Sequence, residues 1–281
     1  MVINYFCPRW GSEDIPWDAF CWKVKAAGYD GVEAGIPFDA TEKDEIARAL
    51  KKHSLLLIGQ YFHSFEKDFG AHASSFEKNL RNIASLNPVL IDAQTGKDYF
   101  SQEQNSWLFS IAKKVTEETG IRIAHETHRN KALFAAHIAR DLLTINPDVC
   151  ITADFSHWCN VSESLLEEHE ESLELAISRA IHIHARVGYC ESAQVPDPRV
   201  ERWKTEVDAH LLWWDRIVNL RAGTKAESFT ITPEFGPYPY MVHHPATNEP
   251  IACQWDINVY MMRLLRERYE RFSTPHTLNE G

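Results

Sequence analysis

Short apolar runs alternate with longer stretches of helical periodicity along the whole chain. The runs at residues 2–7, 29–35, 55–62, 89–94, 121–127, 149–155, 180–187 and 229–235 read as eight strands, each short, continuous and largely apolar. Helical patterns follow at 17–27, 43–53, 74–86, 102–119, 132–143, 164–177 and 202–220, with a last one at 257–269. In the first, Trp17, Phe20, Val24 and Ala27 share one side, and Gly28 follows as a stop. Thr41, with Asp44 three residues on, predicts the N-cap of the second. Gly120 closes the fourth.

Eight strands, each followed by a helix, predict a parallel sheet with crossover helices. Closing it gives an α/β fold, a single (β/α)8 TIM barrel over residues 1–281 with a tail at about 270–281. An open doubly wound sheet is the alternative, but the chain carries no Gly-rich dinucleotide fingerprint and no P-loop. The longer inserts at 188–200 and 236–256 follow the seventh and eighth strands. They therefore fall on the C-terminal rim, where barrel active sites are built.

On this frame the candidate chemistry becomes specific. Four late strands end in metal-binding side chains: IRIAHETH, CITADFSHW, AIHIHARVG and FTITPEFGP supply Glu126, Asp154, His184 and Glu234. A single acidic residue at a strand end is ordinarily a solvated rim charge; four on successive strands point to one site. Two Glu, one Asp and one His form a hard donor set for one Mn2+, Mg2+, Co2+ or Zn2+ ion. Period two places His128 on the face of Glu126, and His125 on the opposite, core-facing side. His157 approaches from the loop after Asp154. His182 lies a layer below His184, placed to bond a carboxylate. Arg129, Arg186, Trp10 and His63 are candidate substrate contacts on the mouth, joined by Phe6, Arg9 and Gln94. Arg9, Lys97, Arg129, Arg186 and Arg199 are each within reach of a phosphate on the rim, and no motif commits one of them.

Net charge and cysteine usage narrow the partners. The formal charge of −11 argues against a duplex nucleic acid, which favours a basic footprint. The six cysteines form no C-x-x-C pair and no disulfide framework, so a reducing, cytoplasmic setting is expected. The first residues lack the charged and apolar regions of a signal peptide, and the longest apolar runs fall short of a membrane span. Nothing in the sequence decides between a monomer and a homo-oligomer.

The four strand ends, with D-x-x-H at Asp154 and His157, H-x-H at His182 and His184, and PEFG around Glu234, resemble the xylose isomerase-like TIM-barrel superfamily over nearly the whole chain. That superfamily includes sugar isomerases, epimerases and endonuclease IV. The resemblance implies that Glu126, Asp154, His184 and Glu234 hold one divalent ion, that Glu126 and Glu234 are the acid/base pair, and that His157 contacts substrate. The expected activity is isomerisation or epimerisation of a sugar or sugar phosphate through an enediolate. A dehydratase or lyase acting on a polyol such as an inosose is the alternative, ahead of an endonuclease IV-like phosphodiesterase and of a binding protein without chemistry. The trinuclear site of endonuclease IV is not expected, because DAQTG at the fourth strand end offers no His and VPDPR (Asp197, Arg199) matches only loosely.

Overall fold

A computed structural model describes residues 1–63, 65–224 and 226–273. Eight strands run as β1 (Val2–Pro8), β2 (Gly31–Ala34), β3 (Leu56–Tyr61), β4 (Leu90–Ala93), β5 (Ile123–Glu126), β6 (Cys150–Ala153), β7 (Ala180–His184) and β8 (Ser228–Thr232). Each pairs in parallel with the next. β1 closes the ring on β8, with Val2 opposite Ser228 and Tyr5 opposite Ile231. Around them lie α1 (Trp17–Ala27), α2 (Ala40–His53), α3 (Phe69–Ala84), α4 (Gln102–Thr119), α5 (Ala136–Ile145), α6 (Ser156–Ser162), α7 (Glu170–Arg179), α8 (Lys204–Ala222), α9 (Gln254–Arg268) and the short α10 (Glu270–Ser273). The expected (β/α)8 barrel is therefore the observed fold, in one domain. Of the expected tail, 270–273 forms α10 and the remainder lies outside the described residues.

α1 and α4 match their predicted limits, and Gly28 and Gly120 end them in the left-handed conformation at φ 99° and 74°. Other ends moved because specific backbone groups are used differently. Asp39, not Thr41, caps α2: its carboxylate accepts from the Glu42 N–H at 2.9 Å. α3 starts earlier than predicted, at Phe69, because Asp68 accepts from the Ala71 N–H. α5 starts later, because the Ala132 N–H is committed to the Thr95 carbonyl of the preceding loop. The run at 164–177 is helical only from Glu170, and the short α6 precedes it. Asp39→Ala should cost about 1 kcal/mol, lowering Tm by roughly 2–4 °C in a thermal melt. An unchanged melt would show that water replaces the cap without loss.

The barrel interior changes character along its axis. Phe6, Ile58, Leu90, Ala124 and Ile181 form a small buried apolar cluster separate from the larger shell between strands and helices. Phe6 therefore belongs to the barrel floor rather than to the mouth. Its ring lies 2.3 Å from where a Cβ on Gly31 would stand, so β2 needs glycine there. Two positions further along the strands, on the same inward face, Ile58, Leu90 and Ala124 give way to Gln60, Asp92 and Glu126, while Gly31 gives way to Glu33. All four of these polar side chains are buried. This polar layer over an apolar floor positions the site.

Candidate metal centre and active site

Glu126 and His184 end β5 and β7, whereas Asp154 and Glu234 lie just beyond β6 and β8. One donor atom from each of the four lies within 4.8 Å of the others, and all four residues are buried. His184 Nδ1 is 3.3 Å from Glu126 Oε1 and 3.0 Å from Glu234 Oε2. Its Nε2 is 2.9 Å from Glu33 Oε1, so a carboxylate holds the imidazole from behind and turns Nδ1 toward the cluster. Glu33 also accepts from Thr232 Oγ1 and lies 3.3 Å from His182 Nε2, matching the carboxylate contact expected for His182. Gln60 Nε2 donates to Glu234 Oε1 at 2.9 Å.

These residues fit a divalent cation. The donors are hard oxygens with one imidazole. Glu126 Oε2 is buried without a hydrogen-bond partner among the described residues. The Arg186 guanidinium, bonded to Asp154 and 3.7 Å from Glu234 Oε2, supplies one fixed positive charge among several carboxylates. Burial opposes ionisation of Glu126, yet His128, His184 and Arg186 outweigh it and hold its carboxyl down at about 2. Burial likewise opposes charge on His184, but Glu234, Glu33 and Asp92 raise it well above the usual imidazole range. A bound cation would take the place of that proton.

His157 and His128 sit together beside the cluster, with ring centroids 3.8 Å apart. Burial pushes His128 down to about 4, and burial, reinforced by the fixed charge of Arg186, pushes His157 well below its ordinary value. Both are neutral at pH 7. His157 Nε2 accepts from Arg186 Nη2 at 2.7 Å, so its proton is on Nδ1, which has no partner among the described residues. A cavity of about 760 Å³ opens above, lined by Trp10, Gln60, His63, His128, Arg186 and Tyr240 among others. Trp10 packs edge-on against Tyr240, and His63 stacks on Phe62 at the rim. Arg129 donates to Asn160 Oδ1 at 3.2 Å and lies over the Tyr240 ring. His125 is on the opposite face, 2.6 Å from Thr95 Oγ1 and edge-on to Phe109, as expected of a core residue.

Glu33, Gln60, Asp92 and Tyr240 were not singled out by sequence reasoning. Glu33 (DGVEAG) and Asp92 (VLIDAQ) carry the same signal as the later ligands, an acid near the end of an apolar run. Tyr240 carries none, because its loop is long and irregular. Glu33→Gln should weaken metal binding about 10- to 100-fold through loosened His184 orientation, measured by competition with a chelating dye. Unchanged affinity would remove Glu33 from any positioning role.

No family model matches the chain. A xylose isomerase domain containing protein from Salmonella typhimurium superposes with a TM-score of 0.64 at 14% identity, over 94% of this chain and 96% of that one. The D-allulose 3-epimerase of Methylomonas sp., solved with D-allulose, superposes with a TM-score of 0.60 at 13% identity, over 95% of this chain and 98% of that one. An inosose dehydratase from Mesomycoplasma hyopneumoniae is 26% identical over 196 residues. That match spans 62% of this chain and 63% of the relative's length. The structural likenesses establish the fold, a closed (β/α)8 barrel. No helix among the described residues is long and apolar enough to cross a membrane.

Proposed function

We propose that this chain is a divalent-metal-dependent isomerase or epimerase acting on a sugar or sugar derivative. The observation that carries the reading is the convergence of Glu126, Asp154, His184 and Glu234, with carboxylate oxygens of both Glu against one imidazole nitrogen. An ion held by these four would supply Lewis acidity, polarising the substrate carbonyl and offsetting charge on the enediolate oxygens. Glu126, ionised in its buried setting, takes the proton from the carbon next to the carbonyl. Glu126 returns that proton, or Glu234, steadied by Gln60, delivers one taken from solvent while the first leaves Glu126 to solvent. Return to the neighbouring carbon isomerises; return to the other face of the same carbon epimerises. The paired His128 and His157, both neutral, hydrogen-bond substrate hydroxyls, and Trp10 and Tyr240 form apolar walls.

A dehydratase on a polyol is the second reading. It is favoured by the inosose dehydratase likeness, with the Nδ1–H of the neutral His157, unpartnered among the described residues, available to hydrogen-bond a departing hydroxyl. One experiment separates the two: metal analysis of the purified protein, then incubation with a panel of keto sugars and inososes in deuterated water. Deuterium next to the carbonyl in recovered sugar or in its isomer supports the first reading. Dehydrated product without a recovered isomer replaces it with the second. Neither outcome, with the metal site loaded, would overturn both for the compounds tested.

A further inference from the structure

The cationic side chains around the mouth are mostly already engaged. Arg9 Nη2 donates to the carbonyls of Glu13 and Ile15, and its guanidinium lies over the Trp17 and Phe20 rings. Arg186 is bonded to Asp154, Arg129 to Asn160, and Arg199 to Asp197. Two lysines differ. Lys131, in the loop after β5, lines the cavity at 6% exposure; Lys97, in the loop after β4, is 8% exposed. Among the described residues, neither ammonium has a side-chain hydrogen bond or an ion pair.

The two loops are stitched together, so the backbone that carries the lysines is held. The Ala132 N–H donates to the Thr95 carbonyl at 2.9 Å, and Asn105 Nδ2 donates to the Lys97 carbonyl at 3.1 Å. Gly96, at φ 69°, lets the chain turn where a Cβ would stand 2.2 Å from Asn105 Oδ1. Burying an ammonium group without a paired carboxylate is costly, and lysines are seldom so buried unless paired. Burial first, and then Lys97, push the Lys131 ammonium down to about 8, with the Glu126 charge pulling the other way. His72 feels both lysines and is fully buried, with its Nε2 unpartnered. Lys131 is thus a prearranged positive group on the β5 side of the cavity, with the buried Lys97 on the adjoining loop.

We infer that Lys131, backed by Lys97, receives an anionic group of the substrate, a phosphate or a carboxylate borne by the sugar. Resting on the proposed sugar-converting site, this narrows the substrate class to acidic sugar derivatives. The neutral end of the molecule reaches the Glu126–Glu234 cluster while its anion docks on the lysines.

The test is a binding measurement that needs no turnover. The full-length, Mg2+-loaded protein is titrated calorimetrically with inorganic phosphate and, separately, with D-gluconate; stronger binding of one tells which anion is preferred. Lys131→Met and Lys97→Met should each weaken the preferred anion about tenfold or more, and Lys131→Arg should retain most of the affinity. A melting temperature at or above that of the wild type in the Met variants shows that they fold. Failure of both probes to bind, or binding unchanged in both Met variants because the anion sits on the metal, overturns the inference. Since none of these readouts involves a reaction, the sugar-converting proposal survives such a result, and failure of the deuterium experiment leaves this one standing.

Discussion

Glu126→Gln and Glu234→Gln each lower turnover about 10²–10⁴-fold while the protein stays folded. The amide keeps the size and one acceptor oxygen of the carboxylate, so Gln60 and His184 retain partners. It cannot take up a proton at neutral pH. Each change also removes a charged donor, so part of the ion's thermal stabilisation goes with it, while a cooperative melt shows that the variant is folded. A finer signature separates the roles. If the two Glu work on opposite faces, each variant still exchanges deuterium into one epimer and not the other. Near-wild-type turnover in either variant would sink its assignment as acid or base.

Stripping the divalent ion has the second large effect. Dialysis against a chelator should abolish turnover, and adding back Mn2+, Mg2+, Co2+ or Zn2+ should restore it with one ion preferred. The readout independent of activity is thermal. An ion at 100 times its Kd adds about 2.7 kcal/mol to the folded state, raising Tm by roughly 5–10 °C. Asp154→Asn removes a charged donor and should lose most of that gain. Because the ion displaces the proton that the surrounding carboxylates hold on His184, the gain should shrink as pH falls. A melting curve indifferent to all four ions would refute the metal centre.

The barrel and its four candidate ligands were legible along the chain because both are local patterns. A parallel strand buried on both faces reads as a short apolar run, and a donor at its end reads as a rim residue. Even the boundary errors were local: Asp39 competes with Thr41 for one helix start, and the committed Ala132 N–H delays another. Glu33 and Asp92 carry the same pattern on the earlier strands, but neither sequence, DGVEAG or VLIDAQ, adds a histidine to mark it.

Other features have no local trace. That Arg186 turns inward onto Asp154, that Glu33 steadies His184 across the barrel, that Phe6 is floor rather than mouth, and that Lys131 is buried on the cavity wall all depend on the stagger of strands far apart in sequence. Period two tells which side of a strand a residue faces. It does not tell how high that residue stands against its neighbours across the ring, which closure of the barrel decides. The amino-acid order alone specified the eight-fold repeat and a hard-donor tetrad; only the closed barrel chose which carboxylates are paired, which cations are spent, and which two lysines remain for a ligand.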